Sequence, residues 1–443
     1  MPDPNHPRFS IVGGGLAGGL FANCLAREGY EVELFERRPD PATGRVPAGR
    51  SINLALSMRG ITALREVGLA DEVLKHAIPM RGRMIHSPTG QTVFQPYSKN
   101  PEDAINSVSR AALNRVLIEA ARARPNVSLH FDTRCVDVDL AETKARFAHE
   151  ETGEYISSTG DIVIGADGAF SAVRGAMQRT DPFDYSQSYL AHGYKELTMP
   201  PRADGSHAME PEALHIWPRR SYMMIALPNP DGSFTCTCFW PFDGPHGFSR
   251  LKTEADIRGY FDQHFADAVP HMPTLVEDYQ RNPVGSLVTV RCAPWHIDGR
   301  IALIGDAAHA IVPFYGQGIN AGFEDCRVLD GIMREHAPDF RRVFEAYSQE
   351  RKPHGDAIAD LAIANFLEMR DKAGTMRFRN KKRLERTLDA LLPQYTPLYT
   401  MVTFTNIPYA DAVARSERQD RAVAICAGLV LLVLLVVVAL LAR

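Results

Sequence analysis

The sequence carries no surplus of charge of either sign: 49 Lys and Arg stand against 53 Asp and Glu, a net charge of −4. A nucleic-acid binder normally shows a basic face, so that class is set aside and no nucleic-acid partner is expected. No block of like charges stands out, and there is neither an internal repeat nor a low-complexity tract. Cysteine is scarce: seven residues are scattered over 443, and only Cys236 and Cys238 lie close together. A lone C-x-C lacks the second half of a zinc site. Inside the alternating run FTCTCFW both thiols should share one sheet face as small apolar groups. The spacing reads as a reducing compartment without structural disulfides, and no metal-ligand set is recognisable. The first residues, MPDPNHPRF, have neither a basic nor an apolar stretch, so no secretory signal is expected there.

Long uncharged apolar runs are missing too, with one exception. From Ala422 to Ala442 the chain reads AVAICAGLVLLVLLVVVALLA, without charge or proline. At 1.5 Å per residue the run spans about 31 Å, the thickness of a bilayer's hydrocarbon core. The alternative is a buried core helix, but one that is apolar all round needs a very large core to cover it. The reading is a single-pass C-terminal membrane anchor at 422–442 in contact with a lipid bilayer. Arg415, Arg418 and Arg421 precede the run and only Arg443 follows, which places the globular part on the cytoplasmic side.

The apolar and charged fractions, 45% and 23%, are those of an ordinary globular protein, and the length suits two intimate domains plus an appendage. FSIVGGG reads as an apolar strand running into glycines, LAGGLFANCLAREG as a helix and YEVELFERR as a second strand. Further on, SMRGITALREVGL and RAALNRVLIEAARA read as helices, VSLHFD as a strand, and DIVIGAD as a short parallel-sheet strand ending on a polar turn. From about Ser186 to Phe242 the texture becomes alternating, as in LHIWP and YMMIALP, which predicts an antiparallel sheet packed on one face. RIALIGDAAHA then returns to strand, turn and helix. The expected fold class is α/β: a discontinuous Rossmann-like dinucleotide-binding domain (1–180 and 286–340) with a β-rich domain (181–285) inserted. A C-terminal helical region (341–420) and the transmembrane helix (422–442) follow.

Gly13, Gly15 and Gly18 form G-x-G-x-x-G between strand and helix. The first lets the chain turn, the second lets backbone approach a pyrophosphate, and the third lets the helix pack on the sheet. Glu36 ends the second strand at the distance of an acid that accepts both hydroxyls of a ribose. These features call for a dinucleotide with a free 2′-hydroxyl, FAD or NAD. Gly165-Ala166-Asp167-Gly168 and Gly305-Asp306-Ala307-Ala308-His309 each end a strand. The second leads into the glycine-rich VPFYGQGINAGFED, where Asp306 can accept from ribityl hydroxyls and a helix N-terminus can stabilise a reduced flavin's negative charge. These turns favour FAD, although Asp306 alone could be a helix cap.

GGGLAG, ADG and GDAAHA match, in identity and order, the aromatic-hydroxylase class of flavoprotein monooxygenases, which the chain resembles. No second G-x-G-x-x-G is present, and in that class NADPH visits transiently without a domain of its own. Within the class the chain resembles the kynurenine 3-monooxygenase family. The likeness is carried by GRSINLALS (Gly49–Ser57), IPMRGRMIHS (Ile78–Ser87), FDYSQ and HGYKELT between Phe183 and Thr198, MEPEALHIWPR, MMIALPN, AIVPFYGQGINAGFEDC and PLYTMVTF. It covers essentially the whole chain ahead of the apolar run, which is itself similar to that of membrane-bound members.

The resemblance implies residue roles. FAD contacts fall on Ala17 in the glycine turn, on Glu36, Arg37 and Arg38, and on Ala55, Arg110, Cys135, Ala172, Asp306, Ile319 and Asn320. Cys135 and Ala172 would act through backbone. Arg83 and Tyr97 match the binders of the L-kynurenine carboxylate, where an arginine fork can pair both oxygens. Asn365 and Tyr399 match further substrate contacts, Met369 and Phe314 look like pocket walls, and Tyr315 stands where the family varies. Taken singly, Arg83 and Arg110 would read as surface cations and Met369 as core. The implied reaction uses NADPH and O₂: an FAD C4a-hydroperoxide passes its distal oxygen to the ring carbon ortho to the amino group. The product is 3-hydroxy-L-kynurenine, in tryptophan degradation toward NAD. That amino group activates the ring, so no catalytic acid or base is expected of the protein. The membrane would be the mitochondrial outer membrane in a eukaryote or the inner membrane in a bacterium, and a homodimer is left open. Two rival readings remain: a membrane flavin hydroxylase acting on a lipid or quinone, with no arginine–tyrosine clamp, and a non-catalytic FAD-binding adaptor.

Overall fold

The computed structural model describes residues 6–44, 53–368, 384–385, 387–392 and 394–442. A six-stranded sheet holds, in spatial order, His296–Ile297, Ile301–Leu303, Ile162–Gly165, Phe9–Val12, Val32–Phe35 and Val127–His130. All neighbours run parallel except the edge pair His296–Ile297 and Ile301–Leu303. Phe9–Val12 and Ile162–Gly165 are buried at every position, which is why both read as continuous apolar runs rather than alternating ones. The helix Leu16–Arg27 makes the crossover between the first two strands. It packs Leu20, Phe21 and Leu25 into a core shared with Ile11, Leu34, Ile164 and Leu303. Phe35 stacks between His130 and Phe147, at 4.6 and 3.9 Å between ring centroids.

A second sheet has seven strands. Its order is Gly285–Ala293, Asp184–Met199, Phe234–Pro241, Met223–Pro228, Ala213–Pro218, Gly82–His86 and Thr92–Pro96. The alternation seen in the sequence has a direct cause: Cys236, Cys238 and Trp240 all point to one face, which the helices Glu254–His264 and Leu275–Arg281 cover. The strand-rich texture gives no warning of these two helices. Nor does it foretell the last two strands, which come from residues 82–96 and join through a parallel pairing of Gly82–Ile85 with Ala213–Ile216.

Two long helices, Gly318–His336 and Phe340–Leu367, follow, then Leu398–Phe404. The last helix, Tyr409–Leu441, begins well before the apolar run and is continuous with it. Its start is rooted in the protein, with Tyr409 and Ala412 fully buried, while Ile425, Leu429 and Leu435 are more than half exposed. One helix is thus long and apolar enough to cross a membrane, and the protein leaves that apolar part uncovered.

Candidate functional site

The three glycines of the first motif are confined in different ways. Gly13 has a φ of +106°, and a Cβ there would lie 2.6 Å from the Ala166 carbonyl oxygen. A Cβ on Gly18 would lie 1.9 Å from the Gly13 carbonyl oxygen. Beside Gly15, however, the nearest atom to an added Cβ is Arg38 Nη2 at 3.9 Å. The chain's own packing therefore demands glycine at 13 and 18 but not at 15. A missing side chain at Gly15 makes sense if something outside the chain approaches it. Gly15 also opens the helix Leu16–Arg27, which has no side-chain cap and no acid in its first turn. Its leading N–H groups are thus left for an anion such as a pyrophosphate.

Glu36 is 6% exposed, and its Oε1 accepts from Arg38 N and Arg38 Nε, both at 2.9 Å. One carboxylate oxygen is therefore already engaged by the chain, where the sequence pattern suggested two for a ribose. Arg37, Arg38 and Arg110 are exposed.

Asp167 turns Oδ2 to its own chain, accepting from Ala172 N at 2.6 Å and Val173 N at 3.4 Å, while its buried Oδ1 has no partner. The Ala172 N–H is consequently spent on this cap, and any backbone contact to a cofactor there must come from elsewhere. Cys135 lies on the strand Thr133–Asp139, with Sγ directed at Asp137 O (3.6 Å), and burial pushes its thiol up to about 12.

Gly305 (φ +59°) brings the last motif against the first, since a Cβ there would sit 3.1 Å from Ala17 Cβ. Solvent reaches Asp306 although protein crowds around it. That desolvation raises its carboxyl, and the Arg110 charge opposes the rise. The helix Gly318–His336 again starts without a side-chain cap or a first-turn acid. Half-buried Ile319 packs against the main core. Asn320, fully buried, is committed to the chain: Nδ2 donates to Ala55 O (2.8 Å) and Gly316 O (2.9 Å), and Oδ1 accepts from Ser57 N (2.9 Å). Its side chain fastens the strand Asn53–Leu56 to the glycine turn, so only its backbone remains for a cofactor.

Behind this turn lies a buried ionic network that pattern reading passed over, although its acids stand in the quoted AGFEDC. Asp325 Oδ2 accepts from Gly305 N (2.9 Å) and meets His309 Nε2 at 2.5 Å, and its Oδ1 accepts from Arg351 Nε at 2.8 Å. Glu324 pairs with Arg351 Nη1 (2.8 Å) and Arg59 Nη1 (2.6 Å). Burial alone would raise the Asp325 carboxyl, but His309 and Arg351 outweigh it and hold it below the usual carboxylate range.

The expected substrate residues fall into two groups. Arg83 and Tyr97 come from the last two strands of the seven-stranded sheet and the turn after them, and Tyr399 from the short helix Leu398–Phe404. Arg83 Cζ lies 4.9 Å from the Tyr399 ring centroid and 5.5 Å from that of Tyr97, and the two rings stack at 5.6 Å. Tyr315 extends the stack, 5.6 Å from Tyr399. Arg83 Nε and the Tyr97 hydroxyl are buried without a hydrogen-bond partner. Burial also keeps the Tyr97 and Tyr315 phenols protonated, so Tyr97 is a neutral donor. The other group sits one layer away. Phe314 stacks on Phe366 at 4.3 Å and tilts against Phe239, and Asn365 Nδ2 donates to Phe314 O at 2.7 Å. Met369 lies outside the described residues.

Uncapped helix starts, the unneeded glycine at 15 and the orphaned Asp167 oxygen suit a flavin dinucleotide, and the family described as FAD binding domain matches residues 8–362. The chain is an FAD-dependent monooxygenase of the flavoprotein aromatic-hydroxylase fold. A kynurenine 3-monooxygenase from Salinispora arenicola is 49% identical over 416 residues, covering 94% of this chain and 91% of its own length. One from Dictyostelium discoideum is 44% identical over 421 residues, covering 92% and 90%. The chain belongs to the kynurenine 3-monooxygenase family. In solved structures, 2-methyl-3-hydroxypyridine-5-carboxylic acid oxygenase shares the fold, with a TM-score of 0.66 at 21% identity over 84% of this chain and 94% of that one.

Proposed function

We propose that this enzyme hydroxylates L-kynurenine to 3-hydroxy-L-kynurenine, using NADPH and O₂, within tryptophan breakdown toward NAD. The observation that carries the reading is the pair of buried, unpartnered donors, Arg83 Nε and the Tyr97 hydroxyl, beside the Tyr399 ring. Unpaired buried donors are costly unless a ligand satisfies them. A carboxylate fits both at once, since an arginine fork and a phenol offer converging N–H and O–H groups. L-Kynurenine brings such a carboxylate together with an aromatic ring to lie among Tyr97, Tyr315 and Tyr399.

FAD, when bound, supplies electron transfer from NADPH and the activation of O₂. The chain's own residues orient and exclude. In this reading Gly13, Gly15, Ala17 and Gly18 take the pyrophosphate with the first helix, and Glu36 with Arg37 and Arg38 takes the ribose end. Ala55, Arg110, Cys135, Ala172, Asp306, Ile319 and Asn320 line the rest, Cys135 and Asn320 through backbone. Arg83 and Tyr97 hold the substrate carboxylate and Tyr399 stacks. Phe314 and Asn365 shape the floor from behind, with Asn365 fixing the Phe314 carbonyl. The aromatic enclosure keeps water from the reacting centre. The residues 1–180 with 286–340 serve as the flavin domain and 181–285 as the substrate domain, except that the substrate sheet also takes the strands at 82–96 and Gly285–Ala293 from the flavin segments. The C-terminal helix anchors the enzyme with its globular part in the cytoplasm.

A lipid or quinone substrate would leave Arg83 and Tyr97 without a purpose, which weighs against that reading. The test is NADPH consumption by purified, FAD-loaded protein with and without L-kynurenine, followed by product mass. Stimulation and a gain of one oxygen atom are expected; neither occurring would sink the proposal.

A further inference from the structure

The short stretch ahead of Leu398–Phe404 is amphipathic the wrong way round for a water-facing surface. Residues 384, 385 and 387–391 are helical, and Leu384, Leu388, Leu391 and Leu392 recur at the i, i+4, i+7, i+8 spacing of one helix face. That face points outward: Leu384, Leu391 and Leu392 are 50%, 71% and 45% exposed. The acid Asp389 of the same stretch is turned to the protein, its side chain 14% exposed. Lys99 Nζ donates to Asp389 O at 2.6 Å and to Asp389 Oδ1 at 3.1 Å. Soluble helices place leucine inward and acid outward; here the order is reversed.

What covers the leucines follows from where the stretch is tied. Thr396 N donates to Gln419 Oε1 (3.2 Å), Gln419 Nε2 donates back to Thr396 O (2.9 Å), and Arg415 Nη2 reaches Gln394 O (3.5 Å). Gln419 is three residues ahead of Ala422, about 4.5 Å along the helix axis. The segment that directly follows the leucine face is therefore tied to the anchor helix within seven residues of where the apolar run begins. The surroundings have the matching charge. Arg415, Arg418 and Arg421 lie on the anchor helix, and in the sequence the leucines are directly preceded by RFRNKKR, 377–383, with five basic residues and no acid. Contrary to the expectation that no block of like charges stands out, this run is one, concealed by the near-zero net charge. Basic residues next to an exposed leucine face suit the headgroup region of an anionic bilayer.

We propose that the leucine face of 384–392 is a second membrane contact, lying in the headgroup–acyl boundary of the bilayer that the C-terminal helix crosses. It rests on the reading of that helix as an anchor.

The test uses the full chain with Cys426→Ala, in vesicles of phosphatidylcholine with a minority of phosphatidylglycerol. Three versions carry a bimane fluorophore, at Leu391→Cys, Leu435→Cys or Tyr155→Cys; retained FAD absorbance shows that each is folded. Nitroxide lipids labelled near the headgroup should quench Leu391→Cys severalfold more than the exposed control Tyr155→Cys. Lipids labelled deep in the acyl chain should quench Leu435→Cys. Quenching at 435 without quenching at 391 overturns this inference and leaves the anchor standing, whereas quenching at neither position overturns the anchor itself. Cross-linking of two copies through 391 without lipid quenching would assign the face to self-association, and also overturns it.

Discussion

Behind the Gly305 turn, Arg351 donates to both Glu324 and Asp325, Arg59 pairs with Glu324, and Asn320 uses its amide for three bonds; His309 Nδ1 is the one buried side-chain atom of this group left over. Beside Tyr399 the pattern is opposite. Arg83 Nε and the Tyr97 hydroxyl are equally buried and find no hydrogen-bond partner, and the guanidinium faces only the rings of Tyr97 and Tyr399. Both regions contain buried arginine, yet one set of charges is balanced from within the chain and the other is not. Buried polar groups that the protein satisfies hold its helices together; in the proposed function the pair at Arg83 and Tyr97 is instead completed by the substrate carboxylate.

Breaking the balanced side should cost most. Arg351→Met removes the cation shared by Glu324 and Asp325, leaving these buried acids only Arg59 and His309, and unfolding by denaturant should show a loss of about 3–5 kcal/mol. Arg83→Met, tested the same way, should change stability by no more than about 1 kcal/mol, because no buried carboxylate depends on it. Equal losses would erase the distinction between the two regions.

A third buried cluster sharpens the contrast through pH. On the helix-covered face of the seven-stranded sheet, His86 meets Asp267 Oδ2 at 2.6 Å and His215 Nδ1 at 2.8 Å. Burial, with a smaller contribution from neighbouring His86, lowers His215 to about 4 from its ordinary 6.5. The unfolded chain takes up this proton first. The stability that neutral His215 contributes is therefore complete above pH 6.5 and is lost as pH falls through about 4. Two and a half pKa units correspond to about 3 kcal/mol. Urea midpoints between pH 7 and pH 4 should show this decline, and His215→Gln should flatten it; an unchanged slope in the variant would remove His215 from the account.

The glycines extend the comparison at lower cost. Gly15→Ala should fold normally and weaken FAD by roughly tenfold, about 1.4 kcal/mol, as read by flavin fluorescence titration. Gly18→Ala should fail to give soluble protein, because its Cβ collides with backbone. The smallest effect belongs to Tyr97→Phe. Removing an unsatisfied hydroxyl should leave the substrate-free enzyme as stable or more stable by up to about 1 kcal/mol, while KM for L-kynurenine rises. Lower stability together with an unchanged KM would show that the hydroxyl serves the fold instead.

The parts of this arrangement that were readable in advance are local. Gly13, Gly15 and Gly18 sit within one turn, and a buried strand such as Phe9–Val12 announces itself by composition. The apolar run at 422–442 is legible from length alone, though not the continuity of its helix back to Tyr409. The Arg351–Asp325 pair was not readable: its members lie 26 residues apart on two helices, and only tertiary packing chooses between them and other charges. The strands at 82–96 were missed for a similar reason, since their parallel pairing with Ala213–Ile216 spans more than a hundred residues. The leucine face at 384–392 has a plain helical period, but only its outward orientation gives it meaning. Arg83 marks the boundary of what sequence can do. Family likeness picks it out, and its unpartnered Nε is consistent with the role proposed for it.

The central claim is that Arg83 and Tyr97 receive the carboxylate of L-kynurenine in an FAD hydroxylase. Its most direct test compares NADPH oxidation by the FAD-loaded enzyme with L-kynurenine and with the corresponding amine lacking the carboxylate, in the native chain and in Arg83→Met. L-Kynurenine should stimulate the native enzyme and yield a product one oxygen heavier. The amine should be poor, and Arg83→Met should lose kcat/KM by about 2–5 kcal/mol while keeping its FAD. Equal use of the amine and L-kynurenine by the native enzyme, or undiminished activity in Arg83→Met, would contradict it.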